Sequence, residues 1–208
     1  MNKEEIVHVL SAIVIFTIVL AFSKIISGNF LYLGTAFISA AVVIVSNIFG
    51  KKIMANMLDS DVSHRIWFSN YFGAKQLSKP FPTGVVLPLL ATLLTSGTLK
   101  IGSILEYETS AKKIRAAKRF GYYSYAEMTD WHNALIGAAG IVMTLIILAI
   151  TYVADFEPIA KAAAFYMFWN MIPVSNTDGT QIFFGSKILW TILSILSLMS
   201  ALYAVALI

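Results

Sequence analysis

The sequence has no cysteine and few charged residues, and both absences restrict what the protein can be. Without cysteine there is neither a disulfide framework nor a thiolate metal site. Charged residues are 12% and hydrophobic residues 58% of the 208 positions, whereas a soluble domain carries about 25% charged residues. Cations exceed anions by 15 to 11, but this does not predict nucleic-acid binding, because membrane topology already requires Lys and Arg in short loops.

Long apolar runs fill most of the chain. Crossing a bilayer takes roughly 20 apolar residues, and residues 6–26, 30–50, 134–154 and 188–208 meet that length without interruption. Two runs are compromised, since 80–99 contains Pro82 and Pro88, and 162–177 is short and broken at Pro173. The sequence therefore predicts an all-α integral membrane protein with one membrane domain over residues 1–208. We expect a polytopic bundle of about five to six transmembrane helices with one re-entrant or broken segment.

The distribution of Lys and Arg predicts the orientation. The loop 51–79 carries five cations and the stretch 100–119 carries six, and such loops favour the cytoplasmic side. A full crossing between them would separate them, so residues 80–99 are expected to enter the membrane and return, or to lie in a cleft lined by protein. The amino terminus is then cytoplasmic in a multi-pass protein of the cell membrane. Residues 111–120, with cations between regularly spaced small or apolar positions, are expected to lie as a helix on the lipid headgroups.

The most informative stretch runs from Asn170 to Gly179. Pro173 interrupts a helix and frees carbonyl groups behind it, while Gly179 permits a tight bend after Asp178. A carboxylate at the mouth of a membrane helix is costly unless it faces a polar cavity or a partner. The pattern therefore predicts that Asp178 points toward the protein interior, as a metal ligand or an ion-site residue would.

Asn170, Pro173, Asp178 and Gly179 together resemble the second zinc-binding motif of the site-2 proteases, which are intramembrane zinc metallopeptidases. The resemblance implies that Asp178 is the remnant of the third metal ligand. It also implies that Asn170 and Pro173 are substrate-binding residues. The partners it implies are the lipid bilayer and transmembrane segments of other proteins.

The first zinc-binding motif of that family, His-Glu-x-x-His, is degenerate here. Its counterpart consists of Asn47, Ile48, Phe49, Gly50 and Lys51, with no His and with no Glu to deprotonate a metal-bound water. In a second family helix, around Gly140, Thr144 stands at about the position of a family Asn. The sequence thus predicts a non-catalytic pseudoprotease that binds transmembrane segments, and no cofactor is expected.

Two other functions stay open on the sequence alone. His8, His132 and Asp178 could converge from distant positions, which would give an active intramembrane zinc metalloprotease with a rearranged metal site. The helix break at Pro173 beside an intramembrane acid would also suit a small transporter or channel.

Overall fold

The computed structural model of the protein describes residues 2–72, 75–112 and 128–206, without the side chains of residues 70–79. Within these residues the chain is mostly helical. The helices are Lys3–Ile26 (α1), Tyr32–Met57 (α2), Thr83–Leu94 (α3), Asp130–Val153 (α4), Glu157–Met171 (α5), Asp178–Gly185 (α6) and Lys187–Ala206 (α7). The strands are Ser60–Ile66 (β1), Ser69–Phe72 (β2), Lys75–Phe81 (β3) and Leu105–Ala111 (β4).

Four helices of the described chain, α1, α2, α4 and α7, are long and apolar enough to cross a membrane. They contain 24, 26, 24 and 20 residues, and at about 1.5 Å of rise per residue each reaches the roughly 30 Å of a bilayer core. The prediction of a mainly helical protein with several membrane-length helices is therefore confirmed. By contrast, α3 and α5 have only 12 and 15 residues. The expected number of five to six spans includes these two segments and stays a prediction.

The helix bounds differ from the predicted apolar runs mainly at polar ends. The second run stops at Gly50, but α2 continues through Lys51 and Lys52 to Met57. The run 162–177 contains the end of α5, which stops at Met171 before Pro173. Hydropathy detects only the apolar part of a helix, whereas charged residues extend a helix when they find partners. Residues 207–208 of the last predicted run lie outside the described residues.

The segment between β3 and β4 enters the helical bundle and returns. Helix α3 packs on α1, and a Cβ added at Gly97 would lie 2.7 Å from the backbone nitrogen of Ser23, close to the end of α1. The chain then runs back without helix over residues 98–104, where Ile101 and Ile104 are buried. Protein covers the end of this return, since residues 101–104 are all buried. That residues 80–99 enter a membrane and return stays a prediction.

Lys100 differs from the predicted charge distribution. By sequence it is grouped with the cations up to Arg119. In the structure, however, the charges of Lys24 and Lys161 act on it. These two lysines lie near the end of α1 and the start of α5, at the opposite end of the bundle from Lys112, which contacts Asn56 and Asp61. The reason is the course of α3, which carries the chain to the end of α1 before it turns back. Lys100 therefore does not add to the positive charge at the end of the bundle where Lys112 lies.

The strand pairs are additions to the predicted all-α architecture. Strand β1 pairs antiparallel with β4, from Ser60 opposite Ala111 to Ile66 opposite Leu105, and β2 pairs with β3. Buried and exposed residues alternate along β1, but its inward positions include His64 as well as apolar residues, so periodicity gives a weak strand signal. The predicted surface helix at 111–120 lies outside the described residues except for Ala111, which ends β4, and Lys112.

Candidate functional site: a buried ion pair between three helices

The site lies where α2, α4 and α6 meet, and glycines allow the close approach. A Cβ added at Gly50 would lie 2.5 Å from the carbonyl oxygen of Ala139. A Cβ added at Gly140 would lie 2.8 Å from Cε of Lys51 and 3.0 Å from Nδ2 of Asn47. Small residues at such crossings let helix backbones approach closely. The side chains of Asn47 and Lys51, one turn apart on α2, therefore enter the interface with α4 and α6.

The centre of the site is an ion pair between Lys51 and Asp178. The distance from Lys51 Nζ to Asp178 Oδ1 is 2.6 Å, and the two side chains are 3% and 0% exposed. Asp178 is the first residue of α6, where the helix dipole also stabilises a negative charge. The ring of Tyr107 lies on another side of the ammonium, with its centroid 4.6 Å from Nζ. Together these contacts compensate two charges that burial would otherwise make very costly.

The second carboxylate oxygen of Asp178 faces Asn47. Asn47 Nδ2 lies 3.5 Å from Asp178 Oδ2 and 3.4 Å from Thr144 Oγ1, so both contacts are long. Thr144 in turn donates to the carbonyl of Gly140 at 2.9 Å. Among the described side chains, Asn47 Oδ1 is one of the buried polar atoms without a hydrogen-bond partner. Protein donors therefore contact both oxygens of Asp178.

This arrangement does not suit a divalent cation. The Lys51 ammonium lies 2.6 Å from Asp178 Oδ1, so a metal ion on this carboxylate would have a positive charge next to it. A protonated lysine has no lone pair to donate and repels a second cation. Nor does any group of three or more His, Asp or Glu side chains suited to a metal occur among the residues that the structure describes. The site is instead neutralised from within.

The predicted site residues come together only in part. Asn47, Lys51 and Asp178 meet, although 127 positions separate the two charged residues in sequence. Ile48 does not join them, because it is one step round α2 and packs in the apolar cluster that α2 shares with α1. Asn170 is also buried but has a different role: its amide donates to the carbonyl of Tyr166 at 2.8 Å and lies 3.5 Å from that of Gly102. Asn170 thus helps to hold the returning segment.

The break at Pro173 positions Asp178. The chain from Pro173 to Asn176 is exposed between α5 and α6, and Thr177 Oγ1 donates to the carbonyl of Ile172 at 2.8 Å. A Cβ added at Gly179 would lie 2.3 Å from the carbonyl oxygen of Met171. Only glycine therefore lets α6 begin so close to the end of α5, and this approach turns Asp178 inward.

Two of the histidines considered above, His8 and His132, lie on α1 and α4. His8 lies on α1 and is partly exposed, and Nδ1 of His132 bonds to Thr129 Oγ1 at the start of α4. In the described part of the chain neither belongs to a metal-suited group with Asp178. A convergent site of His8, His132 and Asp178 stays a prediction of the sequence.

A second polar cluster, around His64, escaped the sequence analysis. Glu5 Oε1 lies 3.1 Å from His64 Nδ1 and 3.0 Å from Lys52 Nζ. His64 is 2% exposed, and burial, with the charge of Lys51 as the next cause, lowers its pKa to about 3. Its Nε2 has no hydrogen-bond partner among the described residues. No spacing in the sequence links Glu5, Lys52 and His64, since they come from α1, α2 and β1.

Comparison with known proteins adds no identification to this geometry. Neither family models, nor curated proteins, nor solved structures give a match to the chain. The function therefore has to be argued from the ion pair and its surroundings.

Proposed function

We propose that the protein is a site-2 protease-like, multi-pass membrane protein without hydrolytic activity, which binds transmembrane segments and does not cut them. The observation that carries the proposal is the 2.6 Å contact between Lys51 and Asp178. It falls where the resemblance assigns a metal and its third ligand. In this protein a lysine ammonium takes the place of the metal's positive charge.

The long-range contacts support the proposed family relationship. Asn47 and Lys51 were assigned to the degenerate first motif, Asp178 to the second, and Thr144 to a third helix. All four are buried in one network. The two proposed motifs are far apart in sequence, so a chance contact between their residues is not expected. The observed contact is what an alignment of both motifs with the family would require.

Hydrolysis would need two things that the network does not offer. Amide hydrolysis at such a site requires a metal that lowers the pKa of water and a general base that takes its proton. Lys51 occupies the carboxylate that would bind the metal. Ile48, at the position of the general base, is apolar and packs away from the site.

The surroundings of the helix break support binding of another segment. An apolar cleft of about 110 Å³ adjoins Val174 and Thr177. Trp67 and Trp169 also line it, and aromatic side chains contribute large apolar contact areas at binding surfaces. Pro173 and Val174 are exposed beside it, consistent with the substrate-side role that the resemblance gives to Pro173.

Metal content and cleavage test the proposal directly. The purified protein should contain no stoichiometric zinc and should not cleave transmembrane peptides above background, with or without added zinc. The measurements are elemental analysis and mass spectrometry of the peptides. Near-stoichiometric zinc with chelator-sensitive cleavage by the unmodified protein would refute the non-catalytic function and favour the active metalloprotease.

A restored metal site tests the family relationship separately. Asn47→His with Lys51→His would place two imidazoles one turn apart on α2, opposite Asp178, which is a suitable ligand set for zinc. This double variant should bind about one zinc ion per chain. The matched control adds Asp178→Asn, which should lower zinc affinity strongly. If the double variant folds and binds no zinc, the alignment of residues 47–51 with the first motif is wrong.

Segment binding needs its own experiment. A photo-crosslinking residue at Val174, which is 46% exposed, should crosslink added transmembrane peptides without cleaving them. The control position is Val153, which is 83% exposed at the far end of α4. Equal crosslinking from both positions would mean that the peptides contact the surface nonspecifically.

A further inference from the structure

A second cleft, between α5 and α7, ends at a lysine. Its volume is about 260 Å³. Phe168 and Trp169 contribute from α5, Leu198 and Leu202 from α7, and Lys100 lies at the returning segment. The cleft extends along α7 from Leu198 to Val205, a length of about 10 Å at 1.5 Å per residue. It is therefore a narrow apolar groove with a cation in its wall.

In the described part of the chain, the charged neighbours of Lys100 are cations. It is partly buried, its Nζ lies 5.4 Å from the centroid of the Phe165 ring, and no ion pair links it to an acid in the part of the chain that the structure describes. The charges that act on it are those of Lys161 and Lys24. The carboxylate of Glu157 pairs with Lys161, with Oε2 3.1 Å from its Nζ. Among the described residues, therefore, no acidic side chain neutralises the positive charge of Lys100.

This combination of features selects one class of ligand. A partly buried cation without a partner is costly, and an anion beside it would recover that cost. The groove next to it is apolar and lies between α5 and α7. At the end of α7, Tyr203 bonds at 2.7 Å to Tyr152, which lies at the end of α4. Tyrosines of this kind are typical of the membrane–water interface. The ligand should therefore carry an anionic headgroup at the interface and an acyl chain below it.

We propose that this cleft is a binding site for an anionic phospholipid. The phosphate contacts Lys100, with Lys24 and Lys161 adding attraction, and one acyl chain lies between α5 and α7 against Trp169 and Leu202. Lys161 remains paired with Glu157 and contributes mainly through its distance-dependent field. The proposal does not depend on the function proposed for the Lys51–Asp178 site.

Lipid binding to the full chain tests the charge at the cleft. The detergent-purified protein is titrated with phosphatidylglycerol or phosphatidylcholine, and bound lipids are counted by native mass spectrometry. Phosphatidylglycerol should bind more tightly, and Lys100→Met should weaken its binding about five- to tenfold, as expected for loss of one favourable lysine contact. Lys100→Arg should retain binding. Lys112→Met, at the opposite end of the bundle, is the matched control and should bind as the unmodified protein does.

A second variant tests the acyl chain. Leu202 is 61% exposed, so Leu202→Trp should fold normally by circular dichroism while filling the groove and weakening phosphatidylglycerol binding. Inorganic phosphate alone should not displace the lipid. Equal binding of both lipids, an equal effect of Lys112→Met, or displacement by phosphate with no effect of Leu202→Trp would each overturn the proposal. A change of oligomeric state in Leu202→Trp without any change in lipid binding would instead assign the groove to a second copy of the chain, and would overturn it as well.

Discussion

Two lysines of this protein lie away from bulk water in opposite circumstances. Lys51 has a carboxylate at 2.6 Å, an aromatic ring beside it and only 3% of its side chain exposed. Lys100 has an aromatic ring but, in the described residues, no carboxylate, and its charged neighbours are Lys24 and Lys161. The first lysine completes a neutral internal network, whereas the second leaves a positive charge beside an open apolar cleft.

The difference indicates how each site can act. A paired charge inside tightly packed helices is needed for stability, since removing one partner leaves the other buried without compensation. An unpaired charge at a cleft is available to a ligand. The two sites should therefore respond in opposite directions to the same substitution, Lys to Met.

The largest effect is expected at the paired lysine. Lys51→Met leaves the Asp178 carboxylate buried without its cation, so the free energy of unfolding should fall by about 3–5 kcal/mol. The measurement is unfolding in detergent at neutral pH, by temperature or denaturant. Since replacing both charges by apolar groups removes the uncompensated ion, the double variant Lys51→Met with Asp178→Leu should recover most of the loss. Additive losses in the double variant would mean that the two side chains stabilise the protein independently.

The next effect concerns the helix packing that holds the pair. In Gly140→Ala the new methyl group would lie 2.8 Å from Lys51 Cε and 2.9 Å from its Cγ, so the variant should lose about 1–3 kcal/mol of stability. Gly34→Ala is the matched control on α2, because a Cβ there has nothing within 4 Å. It should be neutral or slightly stabilising, as alanine favours helix over glycine. Equal effects in the two variants would show that helix propensity, not packing against Lys51, decides the result.

These two contrasts also indicate what the sequence could predict. Long apolar runs gave the membrane-length helices, and the motif resemblance brought together Asn47, Lys51 and Asp178 before any geometry was known. The cation at position 51 was interpreted only as the loss of a ligand. Its pairing with Asp178 could not be read from the chain, because charge complementarity between residues 127 positions apart leaves no local pattern.

Other features were missed for similar reasons. The strand β1 has a polar, weakly alternating sequence, and it forms a strand because it pairs with β4. The paired residues closest in sequence, Ile66 and Leu105, are 39 positions apart. The cluster of Glu5, Lys52 and His64 comes from three separate elements. Lys100 was assigned to the wrong end because loop charge was counted without knowing where α3 turns. In each case a tertiary contact decides what local sequence leaves open.

Acid should weaken the fold through His64, which lies among Glu5 of α1 and Lys51 and Lys52 of α2. The unfolded chain takes up a proton as the pH falls below the ordinary value of 6.5, but the native pKa is about 3. Stability that is fully present above pH 6.5 is therefore lost as the pH falls, by up to about 1.4 kcal/mol per pH unit. Unfolding between pH 7 and 5.5 measures the slope, and His64→Gln should remove this contribution. An unchanged slope in that variant would assign the acid sensitivity to other groups.

The smallest effect, and the one that separates the two lysines most clearly, is expected at Lys100. In neutral detergent without anionic lipid, Lys100→Met removes the repulsion from Lys24 and Lys161 and breaks no ion pair of the described chain. The free energy of unfolding should therefore rise. The gain should be no more than about 1 kcal/mol, because solvent screens part of the repulsion. Adding phosphatidylglycerol should stabilise the unmodified protein and have less effect on the variant, because only the former offers the phosphate a cation in the cleft. The thermal midpoints of both proteins, with and without lipid, give this comparison in one experiment. A clear loss of stability in lipid-free Lys100→Met would mean that Lys100 already has an internal partner, and would place it in the same class as Lys51.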